Sequence, residues 1–173
     1  SMHSWPQIIT VPSINADDER SSYSTVGPDT WLAGYGGEYG YGPPSYQASD
    51  YPESYRKYFK AALVSTDQSG CDIGYNDNST NRNAFVAGNH PDDPNCNYTV
   101  SMNGTSSAGP TVAAFAAVLL EVNPEFTWRD IKHIMANTGA IVDADNETVL
   151  EFNETNITMH DWITNSAGYS HHN

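Results

Sequence analysis

Asn103-Gly104-Thr105-Ser106-Ser107-Ala108-Gly109-Pro110 runs directly into an apolar stretch. A serine set among small residues at the mouth of a helix is suited to acyl transfer. Unpaired backbone N–H groups and the positive end of the helix dipole lie where an oxyanion would develop. Gly104, Ala108 and Gly109 leave room for a substrate backbone, and Pro110 suits a first helical turn, where no N–H is required. An ordinary Ser/Thr cap before a core helix accounts for the same residues.

The elements that must hold this segment are legible around it. Val112 to Leu120 is apolar with no polar face, which predicts a helix buried in the core. Thr127 predicts a second N-cap, with Asp130 in capping-box position and Gly139 at the end. Trp128, Ile131, Ile134 and Met135 share one face of that helix, leaving Arg129, Lys132 and His133 to water. Gln7 to Val11, closed by Pro12, reads as a strand, as do Ala61 to Thr66 and Asn83 to Ala87. Asp17 to Ser24 is turn-like, and the Gly- and Tyr-rich stretch from Trp31 to Tyr46 reads as a surface loop. Thr148 to Phe152 and Ile157 to Met159 flank a polar turn, a hairpin pattern, while Ser1-Met2 resembles an expression scar and is set aside.

Composition narrows the function. With 173 residues there is room for one medium domain. The net charge of −14 argues against nucleic acid and anionic membrane as partners, since both need clustered Lys and Arg. No apolar run approaches the ~20 residues of a membrane span. Cys71 and Cys96 fit a disulfide in an oxidising compartment, with free thiols or half a metal site as alternatives. A bridge between them would be worth about 3.5 kcal/mol in the chain-entropy model. Asp143-Ala144-Asp145-Asn146-Glu147 begins like a calcium loop, but Thr148 stands where an EF-hand needs glycine, and a solvated turn fits as well. Asn78, Asn97, Asn103, Asn146, Asn153 and Asn156 head Asn-x-Ser/Thr sequons that say nothing firm about glycosylation.

Asn103 to Val112 resembles the nucleophile motif of the subtilisin-like serine peptidases, commonly Gly-Thr-Ser-Met-Ala-Ala-Pro-His-Val. Ser107, Gly109 and Thr111 depart from it, whereas Gly104, Thr105, Ser106, Ala108 and Pro110 stay in register. Asn123-Pro124-Glu125-Phe126-Thr127-Trp128-Arg129-Asp130-Ile131-Lys132-His133 is similar to the kexin and proprotein convertase branch, as is Asp161 to Tyr169. Ile8 to Ser24 and Gly36-Gly37-Glu38 resemble the family more loosely, and Tyr39 to Tyr58 looks like an insertion. By contrast, the nucleophile elbow of the α/β-hydrolases fits poorly, because Ala108 replaces its second glycine.

The resemblance implies an α/β fold: the later half of a three-layer domain with a mostly parallel sheet, a buried helix after the nucleophile and a C-terminal β-hairpin. It implies Ser106 as nucleophile and backbone oxyanion donor, Gly104 and Thr105 against the substrate, and a secreted endopeptidase acting on polypeptides. Structural calcium is a family expectation without assignable ligands, and the chemistry itself requires no cofactor.

The family's Asp and His motifs and its oxyanion Asn precede the segment resembled. No Asp-Ser-Gly, Asp-Thr-Gly or His-Gly occurs before Ser106. His3 and His90 precede Ser106 without the motif, while His133 and His160 follow it, in the wrong order for this family. Residues 3–173 therefore read as the C-terminal portion of a peptidase domain, with an N-terminal half expected as a second chain or a lost segment. A catalytically inactive fragment or binding module, and a self-sufficient hydrolase using His90 or His160, are the competing readings.

Overall fold

The computed structural model describes residues 5–25, 27, 29–40, 52, 60–75, 90–144, 147–152, 155–160, 162–164 and 170–172. The predicted strand at 83–87 and His3 lie outside them. Two compact units divide the chain: Ser1–Tyr35 with Thr105–Asn173, and Gly36–Gly104.

In the first unit, β1 (Ser13–Ile14) pairs in parallel with β2 (Gly34–Tyr35). The expected strand over Gln7 to Val11 is reduced to a single parallel bridge, Thr10 to Thr30. Between that bridge and the Ser13–Gly34 pair the register slips by one residue. Pro12 sits in the slip with no N–H to give, although its carbonyl accepts from Gly34 N–H at 3.0 Å. The expected surface loop after Trp31 is also corrected. It supplies β2, and Trp31 and Leu32 pack on the core, while Gly36, Gly37 and Glu38, already in the second unit, are buried.

Helix α1 (Thr105–Val122) starts five residues before Pro110, so the proline is internal rather than in the first turn. Of its apolar residues only Ala108 and Val112 are buried, while Phe115, Val118, Leu120 and Val122 are exposed, Val122 at 77%. The expected burial is thus one-sided. A helix apolar all round needs neighbours on every side, and the described residues cover one. By length and composition alone α1 could cross a membrane. It packs on β2, where Gly34 meets Ala108 and Thr111.

Helix α2 (Trp128–Thr138) follows expectation closely. Thr127 caps it, Thr127 and Asp130 close a capping box, and Gly139 N–H donates back to Met135 O. Ile131 and Met135 join Val112 in the core, against Ile9, Val11, Trp31, Leu32, Ala116, Leu119 and Phe126. Lys132 is the exception to the predicted wet face. Its Nζ donates to the carbonyls of Pro6 at 3.2 Å and Ile8 at 3.0 Å, and burial pushes its pKa down.

Antiparallel hairpins follow: β5 (Glu147–Phe152) with β6 (Thr155–His160), then β7 (Trp162–Thr164) with β8 (Ser170–His172). The first matches the predicted C-terminal hairpin.

In the second unit β3 (Leu63–Thr66) pairs antiparallel with β4 (Tyr98–Met102). Cys71 and Cys96 are joined, closing the alternatives left open for them. Asp93 is buried and accepts the N–H groups of Asn97 at 2.8 Å and Tyr98 at 3.1 Å, anchoring the start of β4. The class is α/β. Among the described residues one strand pair of four is parallel.

Candidate active site

The site is built from the start of α1. Gly104, immediately before it, has φ 113°, which a side chain would resist. Ser106 is the second helical residue and is exposed. Among the described residues its hydroxyl has no hydrogen-bond partner. The N–H groups of the first turn have no partner inside the helix, and that turn carries no acidic residue to compete for them. Pro110, four residues after Ser106, cannot donate to the Ser106 carbonyl. The turn is therefore rich in unspent donors and arranged for an anionic oxygen.

Two features seat this turn. Thr111 Oγ1 donates to Ala108 O at 2.7 Å. A Cβ on Gly34 would collide with Ala108 O and stand 2.8 Å from Thr111 Oγ1, so β2 presses its bare backbone against α1. A Cβ on Gly109, by contrast, would meet nothing within 4 Å, in keeping with the clearance expected there. Thr105 and Gly109 border a cavity of about 700 Å³ whose other wall includes residues 8–12, Tyr23 and Asp29.

Sequence reasoning found the contiguous Gly104, Thr105 and Ser106 but missed Gly34 and Ser107. A lone glycine inside a strand signals close backbone approach, and Gly34 was hidden among neighbouring glycines. Ser107 Oγ is buried without a partner among the described residues. No sequence signal marks that.

His90 Nδ1 accepts Asp92 N–H at 3.2 Å in the second unit, His133 is exposed on α2, and His160 ends β6. His133 is not hydrogen-bonded to Ser106, and the His160 side chain lies outside the described residues. Among the described residues no three His, Cys, Asp or Glu side chains come together. Asp143 Oδ2 accepts Arg20 N–H at 3.2 Å, and Asp18 Oδ1 accepts the Tyr35 hydroxyl at 2.6 Å, raising the phenol's pKa.

Comparison with known proteins agrees with the motif. The subtilase family model, Peptidase_S8, matches residues 2–156. An extracellular serine protease of Aeromonas sobria is 39% identical over 145 residues, covering 82% of this chain and 20% of its own length. A microbial serine proteinase of Aeromonas salmonicida is 37% identical over 170 residues, 92% of this chain and 24% of the relative. Mouse proprotein convertase subtilisin/kexin type 7 is 40% identical over 73 residues, which are 42% of this chain and 8% of that protein. The crystal structure of the Aeromonas sobria serine protease superposes with a TM-score of 0.68 at 31% identity, over 94% of this chain and 26% of that one. This chain thus spans about a quarter or less of the relatives it matches. With the motif, the fold and the family model in agreement, the chain belongs to the subtilase family of serine proteases.

Proposed function

We propose that the chain supplies the nucleophile half of a secreted serine endopeptidase. Ser106 attacks the scissile carbonyl of a polypeptide and forms an acyl-enzyme, with its own backbone N–H as one oxyanion donor. A base His, its orienting Asp and a second oxyanion donor, an Asn, come from an N-terminal half or a partner chain. Gly104 and Thr105 flank the bound substrate backbone. In this reading residues 3–173 are the C-terminal portion of the peptidase domain. The observation that carries it is the position of Ser106: an exposed hydroxyl in a first turn with unspent donors and no carboxylate.

Two surfaces of the first unit support the need for another half. Phe115, Val118 and Val122 are apolar and exposed on α1. Residues 8–12 border the 700 Å³ cavity, and among the described residues they form one β-bridge, Thr10 to Thr30. Parallel sheets are normally covered on both faces, and a two-residue pair is too short to stand alone. Secretion is supported by the Cys71–Cys96 bridge and by the extracellular description of the Aeromonas sobria relative. The proposed chemistry needs no cofactor.

Without its base, Ser106 is a weak nucleophile, and only a residual ~10³–10⁴-fold rate from oxyanion stabilisation and binding would remain. That favours an inert fragment as the second reading for the chain by itself. Co-refolding with the N-terminal half of a related peptidase separates the two. Hydrolysis of a peptide substrate should appear only in the mixture, and Ser106→Ala should lower its kcat by about 10⁶-fold. A folded mixture that never hydrolyses would leave the inert reading standing.

A further inference from the structure

A second pocket lies on α2 and has no part in that chemistry. Pro6, Trp31, Trp128, Arg129, Lys132 and His133 line a cavity of about 420 Å³. Its floor is locked. Lys132 Nζ donates to Pro6 O and Ile8 O and sits 4.3 Å from the centre of the Trp31 ring. Trp31 Nε1–H donates in return to Lys132 O at 3.0 Å.

Arg129 stands differently. Its guanidinium lies 4.2 Å from the centre of the Trp128 ring, the residue is exposed, and among the described residues it has no carboxylate partner. Asp130, its sequence neighbour, is turned away: its Oδ2 accepts both the N–H and the hydroxyl of Thr127, each at 2.7 Å. The chain has 7 basic residues against 21 acidic. Two of the seven therefore gather around two indoles, on a chain of net charge −14.

We propose that this pocket docks an extended peptide segment carrying a carboxylate side chain beside an aliphatic one. The carboxylate meets the fork of Arg129, whose paired N–H groups match it. The aliphatic side chain lies against the Trp31 and Trp128 rings, which supply apolar area at little entropic cost. The volume suits two or three side chains, and the cation count is too low for a nucleic acid on a chain of net charge −14.

The test uses fluorescence anisotropy of a labelled, terminally blocked hexapeptide alternating Asp and Leu, with a Lys and Leu peptide as counterpart, titrated with the chain. Saturable binding of the acidic peptide alone is expected. Arg129→Gln should weaken it about tenfold, and Arg129→Glu should abolish it. Glu121→Gln, on α1, should leave it unchanged. Arg129 is exposed, so both of its variants should keep the parent circular dichroism. Equal affinity for the Lys peptide, no saturable binding, or full affinity in Arg129→Gln overturns the proposal. So does co-sedimentation with phosphatidylserine vesicles that falls in Arg129→Gln, since the pocket would then serve a membrane.

Discussion

Helices α1 and α2 are neighbours in sequence and in the same compact unit, yet they are completed to different degrees. Each supplies residues to the Val112, Ile131 and Met135 cluster. Amphipathic α2 is capped at its start by Thr127 and Asp130, and its buried positions are those its pattern demands. In contrast, α1 is apolar all round and carries Ser106, but buries only Ala108 and Val112. The difference is that the described residues complete the packing of one helix and cover only one side of the other, where the proposed N-terminal half would dock. Ser106 sits on the less covered helix.

Substitutions that treat the two helices alike should separate them. Val118→Asp, on the exposed side of α1, should change the stability of the chain by less than about 0.5 kcal/mol in urea denaturation. The same change should abolish complementation by an N-terminal half, because a charge would be buried in the interface. Met135→Ala, on the packed side of α2, should cost about 3 kcal/mol of stability outright. If Val118→Asp complements fully, the exposed face of α1 is not an interface.

Gly34→Ala probes the seat of α1. The added methyl would press on Ala108 O and Thr111 Oγ1, so overpacking should cost about 2 kcal/mol. It should also lower kcat in the complemented enzyme by shifting the turn that carries Ser106. A variant with lowered Tm but unchanged kcat would show that the turn holds its place without β2.

Thr127→Ala should have the smallest effect, about 1 kcal/mol from loss of the N-cap. Hydrogen bonds from the Thr127 hydroxyl and N–H hold the Asp130 carboxyl below its usual pKa. A carboxyl more acidic in the folded state stabilises it above the unfolded pKa, and that contribution is lost as pH falls through the folded one. The parent should therefore lose stability relative to Thr127→Ala at the acid end, below the ordinary aspartate range. Parallel acid-denaturation profiles for the two would contradict the capping account.

How much was legible follows from what is local. Capping boxes, amphipathic periodicity and the Gly-Thr-Ser motif are set within a few residues, and α2, the first C-terminal hairpin and the position of Ser106 were readable from them. Less local features were not. The strand predicted at Gln7 to Val11 shrank because Pro12 and a register slip interrupt the pairing with residues 30–35. β2 was hidden because glycines that allow close packing look like glycines that allow a loop. Pro110 suggests a first turn and so a later start for α1, whereas in the structure it interrupts one bond inside the helix. The pattern of α2 points Lys132 to water, because nothing in the helix itself announces the carbonyls of Pro6 and Ile8.

The central claim is that Ser106 is a nucleophile that becomes reactive when the exposed side of α1 is covered. The most direct measurement is labelling by a fluorophosphonate, with the modified residue located by peptide mass mapping. The account predicts negligible labelling of the chain alone and near-stoichiometric labelling at Ser106, not Ser107, once an N-terminal half is bound. Rapid labelling of Ser106 in the isolated chain, or labelling on another serine in the complemented form, would contradict it.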